Sequence, residues 1–522
     1  MLGLDGATWD LLNPLMDQGV MPNLQKIVDG GASGILESTV PPYTAPAWVS
    51  CLTGVNPGKH GVFGFVINKH NEIKRRFIDS SDIEAPRLWH YVNAAGKSAG
   101  MINIPVTYPP EPVRGFMVSD FLTPLGREDY TYPASIYGDY LKPMDYVINV
   151  RMGGIQNFSQ NGFMRVMENI KECTLKRQKA MRELRKEFRP DFFMIVFTCM
   201  DKIQHEFYQY LDRESGLYNT TLCERMRPHL VSIYRQMDEV IGEILEEIGS
   251  HTALYIVSDH GFCSMEKHFY INKWLHGRGY LSLKKLNLIR DRFLFKYIKK
   301  ASFSDRNIDV FSPPVHKYIR FKESAFLGSD PYEQAVYYIG NSGRAGYLEQ
   351  VAGIKRELEE LKDVSTGANL FEKVYHRDDL YTGSFKDRAP DLLLKMRDYR
   401  CGFATGYPLR NHFLLPAGKP SGTHHPAGIF AAYGAEIARG RVNASIMDIA
   451  PTVLFNMGLP VHREMDGRPL REIFSENFLK EHITQYGNDL PAFKPGARKA
   501  SIFSDGDKEE MAGRLRDLGY ME

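Results

Sequence analysis

The chain has 522 residues, 43% hydrophobic and 25% charged, a globular balance that excludes wholesale disorder. Lys and Arg number 65 against 63 Asp and Glu, a formal net charge of +2, so no global basic field recruits a nucleic-acid duplex. No apolar run approaches the roughly 20 residues that cross a bilayer, the first residues show no signal-peptide pattern, so none is expected, and the six cysteines are scattered without a CxxC pair, which argues against a disulfide scaffold or thiolate metal cluster. The expectation is a cytoplasmic, enzyme-sized protein.

In chain order, the first feature is Gly3-Leu4-Asp5-Gly6, an acid directly after an apolar start; alone, an Asp-Gly pair reads as a turn. Only four residues precede Asp5, so the first strand is expected to be short or to begin upstream. At 41–48 the sequence is PPYTAPAW, where Pro46 suits the first turn of a helix with body 47–52 and terminator Gly54. Thr44 then falls at or next to the N-cap, its hydroxyl among N–H groups at the positive end of the helix dipole. A long amphipathic helix is expected at 163–188, followed by an apolar strand, FFMIVFTC, at 192–199. Asp201 and His205 follow, spaced i, i+4, so that they face one way on a turn of helix. Leu230, Ile233, Met237, Val240, Ile244 and Ile248 mark another helix before the strand ALYIV at 253–257, which ends in Ser258-Asp259-His260-Gly261. Residues 276–345 differ from their surroundings: 283–300 carries seven basic side chains and one acidic one between apolar positions. This stretch reads as a cap helix packed on the core, with a membrane surface or an anionic substrate as the alternative contact. Strands are expected at 392–396 and 428–433, the second preceded by Thr423-His424-His425-Pro426, and a short helix at 508–518. Short apolar strands alternating with amphipathic helices predict an α/β fold with a mainly parallel sheet covered on both faces.

The polar residues singled out share one trait: each sits at an expected strand or helix end, where open α/β sheets bind their ligands. Together Asp5, Thr44, Asp201, His205, Asp259, His260 and one of the adjacent pair His424 and His425 offer three carboxylates, three imidazoles and a hydroxyl. Three carboxylates and one alkoxide carry about −4, which two divalent cations offset at +4, with neutral imidazoles completing the coordination. Mixed N/O ligation without thiolate favours Zn²⁺, with Mn²⁺ the alternative.

With these motifs the sequence resembles the alkaline phosphatase superfamily and, within it, the type I phosphodiesterase/nucleotide pyrophosphatase family. The resemblance runs in order through GLDGATWD, PPYTAPAW, LTGVNPGKHG, INIPVTYPP, DKIQHEFY, SDHGF, APDLLL, GTHHPAGIF and DIAPTVL. It implies a three-layer αβα sandwich: an alkaline-phosphatase-like core over 1–275 and 346–487, a cap insertion at 276–345, and a tail at 488–522. It also implies that Thr44 is a nucleophile, that Asp5, Asp259, His260 and the Thr44 oxygen hold one metal ion, and that Asp201, His205 and His424 hold a second. The implied activity is hydrolysis of a small phosphorylated substrate, such as a nucleotide or lipid head group, through a phospho-threonine. His425 is then a residue that supports the metal ligands from behind or faces the substrate, and His60 in the PGKHG turn a structural one.

One departure stands out. Nucleotide pyrophosphatases of this family carry an asparagine some twenty residues after the nucleophile, and an ungapped count from Thr44 reaches Phe65. Asn103 is the substitute candidate for holding a phosphate oxygen. A phosphomonoesterase of the same superfamily is the alternative function. A phosphotransferase and an inactive metal-binding scaffold are further readings, the last disfavoured because all seven positions hold competent residue types.

Overall fold

A computed structural model describes residues 1–69, 72–149, 160–284, 319–329, 332–340, 343–404, 406–408, 413–416, 421–491, 493 and 502–517. The central sheet uses β1 (Leu2–Leu4), β2 (Ala32–Glu37), β3 (Ala99–Ile102), β4 (Gly115–Val118), β5 (Thr131–Tyr132), β6 (Phe192–Phe197), β7 (Leu254–Val257), β8 (Ala427–Tyr433), β9 (Gly440–Arg441) and β10 (Ala444–Ser445). Its spatial order is β9-β2-β8-β7-β1-β6-β3-β4-β5, with β10 also beside β2. The run β7-β1-β6-β3-β4 is parallel throughout; β8 is antiparallel to both its neighbours. This is the three-layer, mainly parallel α/β architecture.

Alternation along the strands builds two separate cores. Leu2, Leu4, Ile195, Phe197, Leu254 and Ile256 face one layer, which contains α2 (Gln160–Phe188), α3 (Cys199–Leu211) and α4 (Thr221–Glu246). Met194, Val196, Tyr255 and Val257 face the other, which contains α1 (Thr44–Thr53) and the helix Ile449–Asn456. With both faces covered, the strands carry no polar alternation, which is why they read as plain apolar runs. Among the described residues no helix is long and apolar enough to cross a membrane.

A third apolar core lies outside these layers. It collects side chains from Phe269 to Phe403 around a four-stranded antiparallel sheet, ordered Phe326–Gly328, Ala335–Tyr338, Leu392–Met396, Phe371–His376. Leu392–Met396 is therefore a strand of this second sheet and not of the central one. Drawn by packing, the decoration is wider than 276–345, because its strands pair with segments beyond that range, a relation that linear sequence does not display. The basic stretch lies outside the described residues from residue 285 onward. Near the C-terminus the helix Asp505–Asp517 packs Met511 and Leu515 into the first core.

Candidate active site

Three neighbouring parallel strands end at one edge of the sheet, and each delivers an acid there. Asp5 follows β1, Asp259 and His260 follow β7, and Asp201 with His205 stand on α3 directly after β6. The turn after β1 needs Gly6: its φ is +68°, and a Cβ would come 2.6 Å from the Phe262 ring. The freed Gly6 N–H donates to Asp259 Oδ1 (3.2 Å), and the Gly6 carbonyl accepts from Gln204 Nε2 (2.9 Å). On the opposite face Gly3 leaves room for Trp48, since a Cβ there would lie 2.6 Å from its ring. Trp48 thereby seats α1 against β1, and its indole N–H donates to Asp5 Oδ2 (3.3 Å). α1 opens at Thr44, with Pro46 in its first turn, and closes at Gly54 in a left-handed cap of φ 70°.

His424 arrives from the strand Gly422–His425, which pairs antiparallel with Gly261–Ser264 and sets Phe262 opposite His424. Its ring stacks on that of His260 at a centroid distance of 3.5 Å. The seven residues expected to act together are thus brought together, and all are between 0% and 7% exposed. Thr44 Oγ1 is 3.2 Å from His260 Nε2, which is also 3.2 Å from Asp259 Oδ2 and 3.8 Å from Asp5 Oδ1. His205 Nε2 lies 3.1 Å from Asp201 Oδ1 and 3.2 Å from His424 Nε2. Among the described residues two groups have ligand atoms close enough to hold a metal ion: Asp5, Asp259 and His260, and Asp201, His260 and His424.

The hydrogen bonds fix which imidazole nitrogens are bare. His260 Nδ1 faces the Gly261 carbonyl (3.1 Å) and His424 Nδ1 the Pro42 carbonyl (2.8 Å). A carbonyl only accepts, so each Nδ1 carries the proton and each Nε2 presents a lone pair. The Nε2 atoms thus point lone pairs at carboxylate oxygens. Asp5 Oδ1 and Asp259 Oδ2 are buried and accept no hydrogen bond. Such a set repels itself unless positive charge sits among its members, so the donors fit divalent cations. The electrostatics agree. Burial first, and the neighbouring acids second, push the Asp5 and Asp259 carboxyls well above the usual range. Burial also opposes ionisation of Asp201, but the opposing pull, His205 its largest source, holds that carboxyl low. Desolvation lowers His260 well below its ordinary value and His424 to about 4, so both imidazoles are neutral.

The remaining sequence candidates are placed elsewhere. Asn103 has φ 55° at the end of β3; its side-chain N–H donates to the Ser119 carbonyl (2.9 Å) and its oxygen accepts from the Tyr146 hydroxyl. No hydrogen bond joins it to Thr44. His425, next to His424 on a strand, points to the other face, where it packs edge-on against Tyr399 (centroids 5.2 Å) and accepts from the Ala427 N–H. His60 accepts from the Val62 N–H at Nδ1 and meets Ser50 Oγ at 2.9 Å; burial lowers it to about 3, consistent with a structural histidine. Phe65 packs edge-on against Tyr43 (5.4 Å), adjoining Thr44.

Tyr332 is a site residue that sequence reasoning missed. Its hydroxyl is 2.9 Å from His205 Nδ1 and its ring lies 4.1 Å from that of His424. It belongs to the segment leading into Ala335–Tyr338, and nothing in its sequence neighbourhood marks it. Trp48 and Gln204, by contrast, lie inside quoted motifs and could have been read as supports of Asp5 and Gly6.

Among solved structures, the fold is similar to phosphonoacetate hydrolase from Sinorhizobium meliloti 1021 in complex with phosphonoformate. That match is 17% identical, has a TM-score of 0.53 and covers 86% of this chain and 93% of that one. A murine ectonucleotide pyrophosphatase/phosphodiesterase 5 in complex with AMP matches at 12% identity and a TM-score of 0.49, covering 91% of this chain and 98% of that one. No curated protein matches the sequence. The mainly parallel sandwich gathers acids and imidazoles at its strand ends, and the class of protein is a phosphoester hydrolase. The type I phosphodiesterase/nucleotide pyrophosphatase family model matches residues 1–426, and the chain belongs to that family.

Proposed function

We propose that the protein cleaves phosphate esters, diesters or pyrophosphates foremost, by attack of Thr44 at a site that holds two divalent cations. Asp5, Asp259, His260 and the Thr44 oxygen would hold one cation, and Asp201, His205 and His424 the other. With no thiolate among the donors, Zn²⁺ is favoured over Mn²⁺. Bound cations would lower the proton affinity of the Thr44 hydroxyl and offset charge on the phosphoryl oxygens. The observation that carries this reading is the donor set itself: the Nε2 lone pairs of His260 and His424 are aimed at carboxylates, and buried oxygens of Asp5 and Asp259 accept no hydrogen bond.

The protein's own groups define the reaction. α1 fixes the Thr44 oxygen at its first turn, held there by Trp48 over Gly3. Attack forms the Oγ–P bond and breaks the P–O bond to the departing alcohol, leaving a phospho-threonine. Water then cleaves that Oγ–P bond and restores the hydroxyl. Tyr332 packs against His205 and His424, and it comes from the segment beyond the central sheet, so the decoration contributes a side chain to the site.

The test is a side-by-side assay of 4-nitrophenyl phosphate and bis(4-nitrophenyl) phosphate on metal-analysed protein. The expected result is divalent-cation-dependent release of nitrophenol, with cations bound at two per chain. Absence of release from both esters by cation-loaded protein overturns the proposal, and a monoester-only profile selects the phosphomonoesterase alternative.

A further inference from the structure

Two cations lie inside the protein beside the acid–imidazole cluster, and the reaction above gives neither of them a task. Lys202 follows Asp201 on α3 and is 3% exposed; Arg177, on α2, is 4% exposed. The Lys202 ammonium has three N–H donors and, among the described residues, one hydrogen-bonded partner, the Asn149 side chain. Arg177 donates to the carbonyls of Val196 (2.9 Å) and Ile148 (2.8 Å), while its buried Nε makes no hydrogen bond. The ionisable groups facing Arg177 are Cys173, Cys199 and Tyr146. Those facing Lys202 are the same two cysteines, Arg177 and, of the acids, Asp201 and Asp5.

Buried charges are ordinarily paired, because an uncompensated one costs several kcal/mol. The acids near Lys202 are those assigned to the divalent cations. Three carboxylates and a Thr44 alkoxide, about −4, balance two divalent cations at +4. Among the described residues, Lys202 and Arg177 are then left as two positive charges with no negative partner. Both stand at the strand ends that carry the site. The Arg177 guanidinium lies 5.7 Å from the Phe197 ring at the end of β6, and Tyr146 beside it bonds Asn103 at the end of β3.

We propose that Lys202 and Arg177 form an anion subsite for a second acidic group of the substrate, so that the enzyme prefers phosphate esters bearing at least two negative charges. The ligand chemistry is an anionic oxygen, carboxylate or phosphate, accepting from Lys202 Nζ and Arg177 Nε. The inference rests on the phosphoester reading above and narrows its substrate class.

The experiment compares two 4-nitrophenyl phosphodiesters that differ by one charge, those of glycolic acid and of its methyl ester. The wild-type kcat/KM should favour the acid by about 10- to 100-fold, the range of charge-assisted hydrogen bonds. Lys202→Met and, separately, Arg177→Met should bring that ratio toward one, whereas Lys202→Arg, which keeps the charge, should retain most of it. Calorimetric binding of the two esters to Thr44→Ala protein should give the same preference without turnover. A wild-type ratio below about threefold, or a ratio that survives in both Met variants, overturns the subsite; if neither Met variant folds, the wild-type ratio decides. Release of nitrophenol from both esters with equal efficiency refutes only the subsite, whereas release from neither refutes the phosphoester reading on which it stands.

Discussion

Replacing Thr44 by alanine separates chemistry from architecture. The substitution deletes Oγ1, with its 3.2 Å contact to His260 Nε2, and one methyl group in a fully buried residue. The lost hydrogen bond costs about 1 kcal/mol and the methyl about 1 kcal/mol. Alanine's better helix propensity returns about 0.5 kcal/mol in the first turn of α1. A net loss of about 1–2 kcal/mol leaves a domain of ordinary stability folded. Turnover should nevertheless fall by about 10³-fold or more, since the attacking atom is gone and only binding and charge stabilisation remain. Thr44→Ser keeps the oxygen and should stay within about 100-fold of wild type. The assay is steady-state nitrophenol release with divalent cation present, joined to acid quenching with ³²P-labelled ester and peptide mapping. Label should appear on the peptide containing Thr44 in wild type and in Thr44→Ser, and be absent from Thr44→Ala. A folded Thr44→Ala protein working within tenfold of wild type, or label on a different residue, refutes the reasoning.

Chelation followed by return of Zn²⁺ or Mn²⁺ should shift the thermal midpoint upward, by a stability gain of about 2.7 kcal/mol at a hundredfold excess over Kd; no shift with either ion contradicts the cation-binding donor set. Tyr332→Phe keeps the ring over His424 but deletes the oxygen facing His205 Nδ1, and should weaken one of two cation sites by about 10- to 100-fold in a chelator competition. Gly3→Ala forces a Cβ to within 2.6 Å of Trp48 and 2.8 Å of Val196, so a loss of about 1–3 kcal/mol in denaturant unfolding is expected, accompanied by reduced turnover as α1 shifts. Glu111 supplies a pH signature: burial alone would raise it, but Arg87, His90 and Trp89 outweigh burial and hold it down at about 2 against an ordinary 4.5. A depressed carboxyl stabilises the fold fully above its unfolded pKa and loses that contribution as pH falls toward its folded one. Glu111→Gln should therefore cost about 3 kcal/mol at pH 7, with the gap from wild type narrowing below pH 4.5 in urea titrations; a gap independent of pH dismisses the ion pair as its source.

The residues of the cluster were legible in the sequence because each stands at or beside the end of an expected strand or helix. The ends of 192–199 and 253–257 could be recognised from hydrophobicity alone, and the polar types beyond them announced mixed N/O ligation. Pro46 and Gly54 likewise bracketed α1, since their backbone preferences are local properties. What local properties do not encode is which distant segments meet. Leu392–Met396 has the composition of a buried central strand, yet it pairs antiparallel in the second sheet, because burial on both faces can be satisfied in either place. Asn103 has a competent amide, but its position at the end of β3 commits that amide to Ser119 and Tyr146. His425 looks equivalent to His424 in the sequence, and the alternation of a strand turns it away.

The sequence by itself determined the layered α/β class and the edge of the sheet where chemistry gathers, which follow from periodicity and residue type, while the exact seven side chains followed from the ordered motifs of the resemblance. Only the tertiary structure decided that Tyr332 enters that cluster, that the imidazoles of His260 and His424 turn Nε2 toward the acids, and that Lys202 and Arg177 are enclosed beside it. Those are contacts between segments far apart in the chain, and they are selected by which surfaces close on one another when the cores pack.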